Sequence, residues 1–154
     1  MLRILAAFIF FTRLPFWKLA EVPAEYFKNI VSRWALVGWL TAGLSVIVLY
    51  AGSLILPAGV ALLLAMATRL LVTGCLHEDG LADFFDGFGG GTSRERILAI
   101  MKDSHIGSYG VIGLIGYFGL YYLLLSSLPV ELAGCVMLAG DPFSRNWKKP
   151  FWVH

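Results

Sequence analysis

Hydrophobic residues fall along this chain in long uninterrupted runs. Trp34 to Leu56 contains no charged residue and stops at Pro57; Ala58 to Leu76 is apolar except for Arg69; Ser108 to Leu128 is uncharged and stops at Pro129. About 20 apolar residues carry a helix across the hydrocarbon core of a bilayer, so each run predicts a span. Val130 to Gly140 is shorter, carries Glu131 and ends before Asp141 and Pro142, which makes it a partial fourth span. Near the start, Arg3 and Arg13 bracket Ile4 to Phe11, a stretch too short to cross. Because Thr12-Arg13-Leu14-Pro15 follows it rather than a small-residue cleavage site, it reads as an interfacial or re-entrant helix. The pattern predicts an all-α integral membrane protein. Its helical bundle has about three complete spans, in one membrane-embedded domain over 1–154, with a polar loop at 77–107.

Composition strengthens that reading. The 154 residues are 58% hydrophobic and 14% charged, against roughly 45–50% and 25% in ordinary soluble domains. A formal net charge of +2, with no basic run longer than Lys148-Lys149, gives nucleic acid no surface to bind. Cys75 and Cys135 lie in apolar surroundings without a CxxC spacing and read as buried small hydrophobes. The basic residues also orient the chain. Five precede the first span (Arg3, Arg13, Lys18, Lys28, Arg33), three lie between the second and third (Arg94, Arg96, Lys102), and three lie in the tail (Arg145, Lys148, Lys149). None lies at the Pro57 or Pro129 turn, and this alternation places the N-terminus, the central loop and the tail in the cytosol.

The central loop holds the chemistry. Four of the ten acids, Glu78, Asp79, Asp83 and Asp86, fall within nine residues directly after an apolar run. On a helix, Asp79, Asp83 and Asp86 stand at i, i+4 and i+7 and project from one face. Carboxylates so close repel one another, and a solvated acidic cap is the plain alternative. Divalent cations offset the repulsion economically. Oxygen ligands on a rigid face suit Mg²⁺ or Mn²⁺, and no Cys or multiple-His set points to zinc. Gly87-Phe88-Gly89-Gly90-Gly91 is expected to end the helix and to present backbone N–H groups to an anion. Thr92 or Ser93 then caps a further helix. Arg94 and Arg96 serve either as phosphate contacts or as cytosolic anchors, and Asp103 as a further metal ligand or a base.

These residues resemble a known family. The run His77-Glu78-Asp79-Gly80-Leu81-Ala82-Asp83-x-x-Asp86-Gly87-x-Gly89-Gly90-Gly91 is followed by Arg94-Glu95-Arg96, and then by Ile100-Met101-Lys102-Asp103-Ser104-x-Ile106-Gly107-Ser108-Tyr109-Gly110. Together they look like the signature of the cobalamin synthases, the adenosylcobinamide-GDP ribazoletransferases. Phe11-Thr12-Arg13-Leu14-Pro15 and Asp141-Pro142-Phe143-Ser144-Arg145 resemble segments of the same family, so the similarity covers nearly the whole chain. The resemblance implies a Mg²⁺-dependent enzyme of cobalamin biosynthesis in the bacterial cytoplasmic (inner) membrane, compatible with a homo-oligomer. A ribose hydroxyl of α-ribazole, or of its 5′-phosphate, attacks the cobinamide-linked phosphorus of adenosylcobinamide-GDP, and GMP leaves. The implied metal ligands are Asp79, Asp83 and Asp86 with Glu78. The implied catalytic groups are Asp83, Asp86 and Asp103, with His77 behind them. Gly89, Gly90, Gly91, Arg94, Lys102 and Arg13 are implied to contact substrate. Members of the family continue past the Asp141–Arg145 region with further apolar spans. The resemblance therefore implies that these 154 residues are the N-terminal part of a longer domain, which puts their activity alone in question.

Other readings account for less. Asp83-x-x-Asp86-Gly87 is similar to the first half of the CDP-alcohol phosphotransferase motif, but Gly90-Gly91 stand where that family has Ala-Arg. A cation transporter subunit would use the acids, yet it leaves the glycine run, Arg94 and Arg96 without a task. An assembly or scaffold subunit is the third alternative.

Overall fold

The computed structural model describes residues 2–28 and 30–145. Among them every regular element is helical: α1 (Leu2–Phe11), α2 (Trp34–Ser53), α3 (Ala58–Thr73), α4 (Leu76–Gly90), α5 (Arg94–Ile100), α6 (Ser108–Ser126) and α7 (Val130–Arg145). Residues 146–154, the tail placed above in the cytosol, lie outside the described residues. The chain divides into two compact units, one formed by Met1–Gly74 with Leu128–His154 and the other by Cys75–Ser127.

In the first unit, α2 is the element against which α3 and α7 pack. Its 20 residues run about 30 Å, the thickness of a hydrocarbon core. The faces turned to its neighbours carry small and β-branched side chains, with Val37, Thr41, Ala42 and Ser45 buried. α3 begins after Pro57, whose fixed φ of −53° suits a helix start. At ten residues α1 is too short to cross. It folds onto its own small core, where Ala6, Ala7 and Phe11 pack with Ile30 and Val37, and Phe11 stacks on Trp34 at 5.2 Å. Cys135, on α7, is exposed rather than buried, as is Cys75 in the second unit. Each stands among apolar side chains that are themselves uncovered, so an apolar sequence neighbourhood did not mean burial.

Among the described residues two helices, α2 and α6, are long and apolar enough to cross a membrane, and a third span arises if α3 and α4 count as one broken span. The expected run to Leu76 stops earlier because Gly74 and Cys75 both adopt left-handed backbone, at φ of 63° and 60°. A left-handed residue cannot continue the helical ladder, and for Cys75 the conformation carries a steric cost of roughly 1–2 kcal/mol.

α7 differs in the other direction. The sequence suggests an end before Asp141, yet the helix continues to Arg145 with Pro142 inside it. Asp141 is anchored from two sides. Arg69 on α3 donates from Nη1 to Oδ1 at 3.1 Å, and Thr41 on α2 donates from Oγ1 to Oδ2 at 2.8 Å. These bonds hold the last turn against α2 and α3 where proline would otherwise weaken it. The ion pair is mostly buried, its side chains 15% and 10% exposed. Breaking such a pair from one side leaves an unanswered charge. Arg69→Met is accordingly expected to destabilise this unit by about 3–5 kcal/mol, read as an earlier midpoint in an SDS unfolding titration. The double substitution Arg69→Met with Asp141→Leu should recover most of the loss. Equal midpoints for Arg69→Met and the parent chain would show that the pair is not a structural tie.

Candidate functional site

The second unit carries every predicted site residue except Arg13. Helix α4 opens directly after Cys75, with Glu78 and Asp79 in its first turn, where the positive end of the helix dipole favours acids. The helix then sorts its acids between two stripes. Glu78, Ala82 and Asp86, at i, i+4 and i+8, are buried, the first 4% and the last 8% exposed. Asp79 is exposed and Asp83 half-buried, so these two carboxylates face outward together. The charges of Asp79 and Asp86 both act on Asp83, so the three acids are neighbours as the spacing predicts. Asp86 nevertheless turns to the inner stripe. Its Oδ2 accepts the Gly107 N–H at 2.7 Å and its Oδ1 the Gly110 N–H at 2.8 Å.

Among the described residues no three His, Cys, Asp or Glu side chains group closely enough to hold a metal. Mg²⁺ commonly uses one or two carboxylates and takes its remaining ligands from water and substrate phosphates. Asp79 and Asp83, outward-facing hard oxygen donors on adjacent turns, fit that mode of binding. Glu78 and His77 are less available, the first buried and the second half-buried.

The glycine run departs from expectation. Helix α4 passes through Gly87, Gly89 and Gly90, and only Gly91 leaves it, its N–H still donating to Gly87 O at 2.9 Å. The amides of Gly89 and Gly90 therefore lie inside a helix rather than in an open anion nest. Packing explains why glycine is tolerated there. A Cβ on Gly87 would meet Met101 and Ile97, and one on Gly89 would meet the ring of Tyr109. The run is the floor against which α5 and the head of α6 lie.

Beyond it, Ser93 caps α5 by accepting the Arg96 N–H at 3.3 Å, and Arg94, Arg96 and Lys102 are all exposed. A cavity of about 380 Å³ opens between these elements, with Asp86, Arg96, Asp103, His105, Ser108 and Tyr109 in its lining. Asp103 and His105 form a pair at its edge, Oδ1 to Nδ1 at 2.6 Å, and the same oxygen accepts the His105 backbone N–H at 3.1 Å. The hydrogen bond to His105 holds the Asp103 carboxyl below the usual carboxylate range, and the bond to Asp103 raises the His105 imidazole. Sequence reasoning did not single out His105. Its i, i+2 spacing from an aspartate in a short loop is the signal that points to it. Arg13 belongs to the first unit, where its side chain lies over Gly74 and its N–H donates to Val72 O at 2.7 Å.

The sequence profile of the cobalamin-5-phosphate synthase family matches residues 3–148. The adenosylcobinamide-GDP ribazoletransferase of Shewanella sp. (strain ANA-3) is 46% identical over 144 residues, covering 92% of this chain and 55% of that protein. The protein of the same name from Shewanella sp. (strain W3-18-1) is 50% identical over the same coverage, and that of Shewanella baltica (strain OS195) 49%. The chain thus spans about half the length of the curated relatives it matches. No solved structure matches it. With nearly its full length matched and close to half its residues shared with these relatives, the chain belongs to the cobalamin-5-phosphate synthase family.

Proposed function

We propose that this chain carries the metal-dependent phosphoryl-transfer site of an adenosylcobinamide-GDP ribazoletransferase, facing the cytosol from the bacterial inner membrane. The name of its relatives, adenosylcobinamide-GDP ribazoletransferase, supports the choice of substrates. The observation that carries the chemistry is the outward pair Asp79 and Asp83 within the same unit as a cavity edged by Arg96 and the Asp103–His105 pair.

In this reading a ribose hydroxyl of α-ribazole, or of its 5′-phosphate, attacks the cobinamide-linked phosphorus. A new P–O bond forms, the P–O bond of the diphosphate bridge breaks, and GMP leaves with the electron pair. Asp79 and Asp83 would hold Mg²⁺, which when bound would supply charge neutralisation for the departing phosphate. Arg96 adds a fixed cation at the cavity, and Arg94 and Lys102 extend the basic surface that receives an anionic substrate. The Asp103–His105 pair receives the proton of the attacking hydroxyl. Asp103 keeps the imidazole oriented through Nδ1 and favours its protonated form. The exposed apolar side chains of α6, among them Ile112, Ile115, Leu120 and Leu123, find their solvent in lipid.

Membranes holding this chain extended to the length of its relatives are expected to release GMP from adenosylcobinamide-GDP when α-ribazole and Mg²⁺ are supplied. Asp83→Asn should lower that release by about 10²–10³-fold, and a parental rate would remove Asp83 from the chemistry. The proton step has its own signature. Because His105 is raised and must be neutral to accept a proton, the rate should climb with pH through an inflection above the ordinary histidine value. In Asp103→Asn that inflection should move down toward the ordinary value. The same movement should appear in the His105 imidazole signals of an NMR titration, and an inflection that ignores Asp103→Asn contradicts the assignment.

A further inference from the structure

The head of α6 lacks a cap of its own. Gly107 occupies the N-cap position and has no side chain to accept the first N–H groups, which have no partner inside the helix. The missing acceptor comes from another helix. Asp86 on α4 takes the N–H of Gly107 on one carboxylate oxygen and that of Gly110 on the other, at 2.7 and 2.8 Å. Both bonds are charge-assisted, and the carboxylate sits at the positive end of the α6 dipole.

The two glycines fit this arrangement. The Gly107 backbone, at φ −92° and ψ 177°, is one that any residue adopts, so glycine is not required there for its conformation. Gly110 lies inside a helix, where glycine costs about 1 kcal/mol relative to alanine. Space explains both, since a Cβ at either position would collide with the Asp86 carboxylate. Gly107, Gly110 and Asp86 are therefore one device in which the backbone closes on a buried acid.

We infer that Asp86 is a positioning residue and not a metal ligand. It fixes the head of α6, and with it the cavity wall formed by Ser108 and Tyr109, while Asp79 and Asp83 are left to hold the cation. The catalytic consequence rests on the transferase reading above; the capping does not.

Two measurements on the full chain in detergent separate the roles: Mn²⁺ affinity by electron paramagnetic resonance, and amide hydrogen exchange at Gly107 and Gly110. Asp86→Asn should speed exchange at both glycines by about 10- to 100-fold, because hydrogen bonds to a charged acceptor are lost or weakened. Its Mn²⁺ affinity should stay within about 2-fold of the parent, whereas Asp83→Asn should lower that affinity by about 10-fold or more and leave the glycine amides protected. Gly107→Ala keeps every carboxylate and should reproduce the faster exchange with Mn²⁺ binding intact, which covers the case in which Asp86→Asn does not fold. Gly110→Ala should add little when Asp86→Ala has already emptied the space. A tenfold loss of Mn²⁺ affinity in Asp86→Asn with protected glycine amides overturns the inference. Failure of the parent chain to bind Mn²⁺ counts against the metal in the transferase reading, and exchange at Gly107 and Gly110 then judges the cap alone. Unchanged exchange in both Asp86→Asn and Gly107→Ala overturns it.

Discussion

Burying a carboxylate in an apolar protein is tolerated only where donors surround it, and two aspartates organise the two units of this chain on those terms. Asp141 is answered by Arg69 and Thr41 and holds α7 to α3 and α2. Asp86 is answered by two backbone N–H groups and holds the head of α6 to α4. Each acid joins elements far apart in sequence, and in each case the partner is a specific donor and not a general polar surface. Hydrophobic packing alone does not specify such pairings for helices as uniformly apolar as α2 and α6, where one helical face resembles another. The buried charges supply the register.

Asp79 and Asp83 are then the acids of α4 that face outward. With Asp86 turned inward beside Ala82 and Glu78, the outward stripe consists of Asp79 and Asp83, a pair suited to a cation that completes its coordination with phosphate oxygens. The glycines from Gly87 to Gly91 serve the same geometry by bringing α5 and Tyr109 close to the helix. A motif that looks like a string of ligands followed by a nest is, in three dimensions, an outward carboxylate pair, a cap and a packing floor. That division of labour accounts for why acids and glycines recur together in one short stretch.

Much of this was legible from the residues. The uncharged runs located α2 and α6, Pro57 and Pro129 marked the turns, and of the two expected caps, Thr92 and Ser93, it is Ser93 that caps α5. The i, i+4, i+7 spacing brings Asp79, Asp83 and Asp86 near one another, but the single face it predicts is shared only by Asp79 and Asp83. It could not separate them, because periodicity gives the angle around a helix and not the identity of what lies opposite. The stop of α3 at Thr73 depends on left-handed backbone at Gly74 and Cys75, and at Cys75 that is a conformation composition does not announce. The persistence of α4 through its glycines and of α7 through Pro142 reflects tertiary contacts that override local propensity. For His105 the signal is only its i, i+2 spacing from Asp103, which many surface loops share.

The central claim is that Asp79 and Asp83 share a divalent cation with the diphosphate of the substrate. Pulsed electron paramagnetic resonance of Mn²⁺ bound to the chain reports this directly, through hyperfine coupling between the manganese electron spin and phosphorus nuclei. On addition of adenosylcobinamide-GDP the account predicts phosphorus coupling that is absent without substrate and is lost in Asp83→Asn. Bound manganese that shows no phosphorus coupling with substrate present, or coupling that persists unchanged in both Asp79→Asn and Asp83→Asn, would contradict it.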